Sequence, residues 1–145
     1  MASALPSRLQ AMLDELIQAE DLTEKYEVLI ELGKQVQDIP AEQKLPECQV
    51  QGCQSLVHVY STFEQGKIQF HGYADAMIVN GLLALLVNGL SGLTPDEFLA
   101  VDPKFIEGTG VNKTLTPSRV NGFYNIHQRM KLEAMKWKAG YGNGA

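Results

Sequence analysis

Two cysteines and three histidines are the side chains of this 145-residue sequence best suited to nucleophilic or metal chemistry. Cys53 lies in Val50-Gln51-Gly52-Cys53-Gln54-Ser55. A thiol acts as its thiolate, so the sulfur must be able to ionise and be reached by the reacting molecule. Glycine beside it lets the backbone turn sharply and lets another molecule come close. Gln51, Gln54 and Ser55 suit an exposed loop better than a packed core. The competing reading is a buried structural cysteine, since free thiols are among the most buried side chains. Local composition leaves both open. Cys48, five residues earlier in Pro46-Glu47-Cys48-Gln49, reads as a loop thiol; a resolving partner for Cys53 and half of a metal site are its alternatives.

A zinc site built here would draw on Cys48, Cys53, His58 and His71 as its four ligands. No second close-spaced Cys or His pair supports it. His127 lies next to an apolar stripe and reads as a packing residue rather than a general base. Phosphate loops of the Gly-x-Gly-x-x-Gly or Walker type, Gly-x-Ser-x-Gly and His-Glu-x-x-His are absent from the sequence. A cysteine hydrolase would need a histidine placed near Cys53, which only the fold can supply.

The elements that must position these groups follow from periodicity. Leu5, Leu9, Met12, Leu13, Leu16 and Ile17 recur at helical spacing and predict a first helix ending near Ala19. Asp21 and Glu24 have the spacing of a helix-capping pair, and Tyr26, Leu29, Ile30, Gly33 and Val36 mark a second helix broken before Pro40. Residues 38–55 lack an apolar period and read as a long ordered loop of the kind that carries function. Leu56 to Phe63 alternates, with Val57, Val59 and Phe63 on one face. Glu64-Gln65-Gly66-Lys67 supplies a turn, and Ile68, Phe70 and Gly72 continue the alternation, which makes a β-hairpin. Asp75 is expected to cap the apolar helix that follows, a central element of the core. Thr94-Pro95-Asp96-Glu97 and Thr116-Pro117 open two more helices, the last with the stripe Phe123, Ile126, Met130, Ala134 and Trp137. Helices, hairpin, helices is the order of an α+β domain, a small antiparallel sheet with helices packed on one face. A single domain is expected over residues 1–145, with an ordered core from roughly 8 to 137 and a glycine-rich tail from roughly 140 to 145.

Composition fits that class. Hydrophobic residues make up 45% and charged residues 20%, ordinary globular usage. A net charge of −5 argues against nucleic acid, which calls for a concentrated basic face. Charge is uneven: residues 1–50 hold ten acidic against four basic side chains, residues 106–145 two against six. The stretch Ala74 to Leu90 is interrupted by Asp75, Asn80, Asn88 and Gly89 and is shorter than the roughly 20 apolar residues of a membrane span. Met1 to Pro6 lacks a cationic start followed by an apolar run, so no secretory leader is expected. Two cysteines without a leader point to a reducing, cytoplasmic setting.

Several of these stretches together resemble one family. Val50 to Ser55 followed by Val57 is similar to the active-cysteine motif of the SufE/CsdE family of sulfur acceptors. Asp75-Ala76-Met77-Ile78-Val79-Asn80-Gly81-Leu82 is similar to its Asp-Ala helix start, and Leu115-Thr116-Pro117-Ser118-Arg119 with Asn121-Gly122 to its C-terminal signature. Tyr26 to Gly33 fits its N-terminal pattern. The resemblance implies a fold like that of the IscU/NifU scaffolds and a persulfide intermediate on Cys53, with Gly52, Gln54 and Ser55 as its loop neighbours. It implies a pyridoxal-phosphate cysteine desulfurase of the SufS/CsdA type as partner, which the chain would stimulate rather than act as a free-standing enzyme. A downstream iron–sulfur scaffold or other recipient would take the sulfur, and the chain itself would bind no cofactor or metal. In that family the cysteine loop swings toward the desulfurase, and the positions matching Arg119 and Asp75 lie near the loop or the partner surface. This chain departs from the pattern at His58, usually tryptophan, at Ala74, usually serine, and at Cys48, often asparagine. No cation is adjacent to Cys53 in sequence, and Arg119 is the candidate to stabilise its thiolate. An iron–sulfur or zinc scaffold of IscU-like fold is the alternative function, although such scaffolds use about three cysteines or equivalents; a redox protein using Cys48 and Cys53 lacks the usual Cys-x-x-Cys.

Overall fold

A computed structural model describes residues 5–53 and 55–140. Helices α1 (Ser7–Gln18) and α2 (Leu22–Gly33) come first, then two short 3₁₀ turns at Ala41–Gln43 and Pro46–Cys48 within the long loop. Strands β1 (Val57–Glu64) and β2 (Lys67–Ala74) follow, then α3 (Met77–Leu83), α4 (Pro95–Leu99) and α5 (Pro117–Lys138). α1 buries Leu9, Met12, Leu13 and Leu16 as its periodicity predicts; Ile17, at the margin of that stripe, is half exposed. Asp21 caps α2 by accepting from the Glu24 N–H at 2.8 Å. The return bond differs from a closed capping pair, since the Glu24 carboxylate accepts from the Glu20 N–H at 3.0 Å, one residue early.

β1 and β2 pair antiparallel in the register Val57↔Ala74 to Glu64↔Lys67. Gln65 (φ 54°) and Gly66 (φ 80°) make the two-residue turn, both in the left-handed region that a tight hairpin of this twist requires. Val57, Val59, Ile68 and Phe70 turn inward to a core shared with α1, α2, α3 and α5. On the outer face Tyr60 stacks on His71 with centroids 4.8 Å apart.

One capping expectation is overturned. Asp75 does not cap α3, whose N-cap is Ala76 with no side-chain bond. Its carboxylate instead accepts from the Leu56 N–H at 3.1 Å, and the Asp75 N–H donates to the Leu56 carbonyl at 3.2 Å. The reason is tertiary: the hairpin brings Leu56 opposite Asp75, and that pair of backbone groups lies beyond the last strand rung. Asn80 serves the other edge, accepting from the Ala74 N–H and donating to the Ala74 carbonyl, both at 2.9 Å. α3 is buried on nearly every side, and its last residues pass into a π-helical turn, Ala84–Asn88. Thr94 and Glu97 form a closed capping box on α4, and Thr116 caps α5 through the Arg119 N–H. Among the described residues no helix is long and apolar enough to cross a membrane.

Candidate functional site

Cys53 stands on a short arch whose two ends are pinned. Before it, the Val50 N–H donates to the Val57 carbonyl at 2.8 Å, and Gln49 bridges to His58. After it, Leu56 and Asp75 exchange the two bonds described above. Between those anchors Gly52 takes φ +83°, a conformation in which a side chain would be strained. Gln54, the loop neighbour singled out from sequence, lies outside the described residues.

The arch leans on α5. Arg119, Gly122 and Ile126 recur at spacings of three and four, and so present one face of that helix. They line a cavity of about 60 Å³ together with Ser118, Phe123, Val79 and Leu82 of α3, and Cys53 and Ser55 of the loop. The Cys53 Sγ points at the Gly122 carbonyl at 3.7 Å. A Cβ on Gly122 would stand 3.5 Å from that sulfur, an ordinary van der Waals contact, so the thiol packs closely over this glycine. Burial pushes the Cys53 thiol up from its ordinary value. Desolvation disfavours the charged form, and Arg119, although it lines the same cavity, does not reverse the direction. Burial of the half-buried Cys53 therefore favours its neutral form.

Arg119 is partly exposed, and among the described residues its guanidinium has no hydrogen bond or ion pair. Its own backbone is fixed by the Thr116 cap. Asp75, exposed at the far anchor of the arch, is flanked by the exposed apolar side chains of Leu56 (47%) and Met77 (65%). Among the described residues, Arg119 at the cavity thus has no partner, while the far anchor of the arch carries a carboxylate bonded to a backbone N–H and two exposed apolar side chains.

The four candidate metal ligands do not converge. Among the described residues no group of three or more His, Cys, Asp or Glu could hold a metal ion. Cys48 is buried in its 3₁₀ turn, does not line the Cys53 cavity, and both cysteines are free. His58 is buried on β1, and His71 is bonded to Thr62 across the sheet. His127 is packed as its position beside the stripe predicts. It stacks on Phe98 at 5.4 Å, and burial lowers its pKa to about 4, so it is neutral at physiological pH. Sequence reasoning missed Asn125, whose Nδ2 donates to the Gly52 carbonyl at 3.0 Å. The available signal was its place three residues after Gly122 on the same helix.

A family model described as SufE: Fe-S metabolism associated domain matches residues 10–134. An uncharacterized SufE-like protein from a Synechocystis strain is 42% identical over 147 residues, covering 99% of this chain and 92% of that one. A Plasmodium falciparum protein named cysteine desulfuration protein SufE is 36% identical over 113 residues, which are 74% of this chain and 45% of that longer protein. Among solved structures, the solution structure of a hypothetical protein from Thermus thermophilus superposes with a TM-score of 0.78 at 27% identity. It covers 92% of this chain and 97% of that one.

Proposed function

The chain belongs to the SufE family, and from that membership and the geometry around Cys53 we propose that it accepts sulfur as a persulfide on Cys53 from a cysteine desulfurase. The observation that carries the reading is the thiol aimed into a small, mostly enclosed cavity with space left beyond it. About 60 Å³ is several times the ~10–15 Å³ that a single water needs on the same measure, so one added sulfur atom fits. Relatives named cysteine desulfuration protein support the same class of chemistry.

In the proposed step the Cys53 thiolate attacks the outer sulfur of a persulfide on the donor. The donor's S–S bond breaks, a new S–S bond forms at Cys53, and the donor cysteine leaves as thiolate. No net oxidation occurs. The nucleophile has to be ionised, and the resting site favours the neutral thiol. The arch must therefore leave its slot for the reaction, which exposes Cys53 to water and to the donor together. Returning with its sulfur, it would shield the persulfide from reductants in the cavity under Arg119. The guanidinium of Arg119, without a partner among the described residues, and the apolar pair Leu56 and Met77 around Asp75 supply the docking chemistry for the desulfurase. That partner would bring the pyridoxal phosphate, and this chain would bind no cofactor. Delivery of the sulfur to iron–sulfur cluster assembly completes the proposal.

Incubation with a cysteine desulfurase and cysteine, followed by intact-mass measurement, tests it. The expected result is one added sulfur, removed by reductant and absent from Cys53→Ser. An adduct that persists in Cys53→Ser would overturn the assignment.

A further inference from the structure

Cys53 packs over one glycine of α5, Gly122, and three residues further along the same helix stands a side chain that bonds the backbone of the arch. Asn125 donates from Nδ2 to the Gly52 carbonyl at 3.0 Å. The same amide occupies the space beside the Gly52 Cα, where any Cβ would run into Nδ2. Gly52 is thus constrained twice, by its left-handed φ of +83° and by the asparagine packed against it. Gln51 and Gly52 form a local turn, and among the described residues no backbone–backbone bond ties Gln51, Gly52, Cys53 or Ser55 to another element. Among those same residues, apart from the weak contact of Sγ with the Gly122 carbonyl, the Asn125 amide is the polar tie between the tip of the arch and the helix.

We propose that Asn125 is a latch, a positioning residue that holds the Cys53 arch in its closed, thiol-burying form and sets how often the arch opens. The proposal rests on the acceptor reading only for its purpose; the latch itself concerns the free protein. A side-chain amide bonded to one carbonyl is suited to that task. Its net contribution is that of a neutral hydrogen bond, strong enough to bias two positions of a loop and weak enough to be released when a partner binds. Asn125 touches neither the sulfur nor its donor and takes no part in the transfer itself.

The test is the rate at which iodoacetamide alkylates Cys53 in the protein without partner, followed by mass spectrometry that resolves Cys53 from Cys48. Asn125→Ala removes the amide, and Asn125→Asp keeps its shape while losing the donor. Both should raise the Cys53 rate about threefold to tenfold, the range a single neutral hydrogen bond commands, and leave the Cys48 rate and the circular dichroism unchanged. Gly52→Ala, which cannot close against the amide, should also speed alkylation. In that background Asn125→Ala should add less than about twofold, because the latch is already open. A rise under about threefold in either single variant, full additivity with Gly52→Ala, or equal acceleration at Cys48 would overturn the latch. Loss of the fold on substituting Asn125 would show that it serves the fold as a whole, and would overturn it too. Sulfur loading of the parent protein is scored in parallel. Failure there removes the acceptor reading and leaves the alkylation ratios to decide the latch by themselves.

Discussion

Cys48 and Cys53 stand five residues apart on one loop, and the fold holds them by different means. Cys48 is 7% exposed. It sits in a 3₁₀ turn whose backbone bonds run from Cys48 to Leu45, from Gln49 to Pro46 and from Val50 to Val57. Its position is fixed by the main chain, which local sequence variation hardly disturbs. Cys53 is held by local complementarity: close packing over Gly122, an amide at Asn125 and a left-handed glycine before it. Such contacts are few and individually weak. A thiol that must move is best held this way, since local opening follows where ordered backbone bonds are scarce. In the proposed reading the same loop thus contains a buried structural cysteine and a half-buried cysteine poised for exchange.

The largest separation between the two should come from Arg119. Its guanidinium lines the Cys53 cavity and has no partner among the described residues, so it is available to a carboxylate or carbonyl of a docked protein. A charge-assisted bond of that kind contributes roughly 1.5–3 kcal/mol. Arg119→Ala is expected to lower sulfur transfer from the desulfurase at least tenfold, while alkylation of Cys53 in the free protein stays within about twofold. Slower transfer with faster alkylation would instead place Arg119 among the groups that hold the arch closed.

Filling the slot should have the next largest effect. Gly122→Leu puts a side chain where the sulfur lies, at a stability cost of roughly 1–3 kcal/mol for overpacking. With Cys53 expelled, the desolvation that raises its pKa is relieved. The thiolate fraction grows as pH rises through the pKa, so a raised pKa displaces the rate–pH curve of alkylation to higher pH. In Gly122→Leu that curve should move back toward the ordinary thiol range of about 8.5. Equal curves for parent and variant would mean that the slot does not set the acidity of Cys53.

Cys48→Ser should have the smallest effect on function. Sulfur acceptance is expected within about twofold of the parent, with a stability loss of roughly 1–3 kcal/mol from placing a hydroxyl in a buried site. A tenfold loss of acceptance in the folded variant would make Cys48 a relay or a resolving thiol and dissolve the contrast drawn above.

Much of this was legible in the sequence. Helical periods gave α1, α2 and α5, the Glu64–Lys67 turn gave the hairpin, and Thr94 and Thr116 marked their helix starts because capping is a local interaction. Cys53 stood out through its glycine and polar neighbours and through the family pattern. Asp75 was misread because its short side chain had two backbone targets, and only strand pairing decides that Leu56 receives it. The π turn at Ala84–Asn88 left no trace, since an all-apolar stretch reads alike in either helical form. The roles of Gly122 and Asn125 were invisible for a similar reason. Both arise where residues distant in sequence meet, at Cys53 with Gly122 (|i−j| = 69) and at Gly52 with Asn125 (|i−j| = 73). The acidity of Cys53 was likewise set by burial, which no neighbour in sequence announces.

The central claim is that sulfur arrives on Cys53 and not on Cys48. After incubation with desulfurase and cysteine, persulfides can be trapped by alkylation and the protein cleaved with trypsin, which leaves both thiols on the peptide Leu45–Lys67. Fragmentation of that peptide assigns the added sulfur to one residue within a single molecule, free of any effect of mutation. The account predicts the trapped sulfur on Cys53, with Cys48 unmodified. Sulfur found on Cys48 at the earliest times, and on Cys53 later or never, would contradict it.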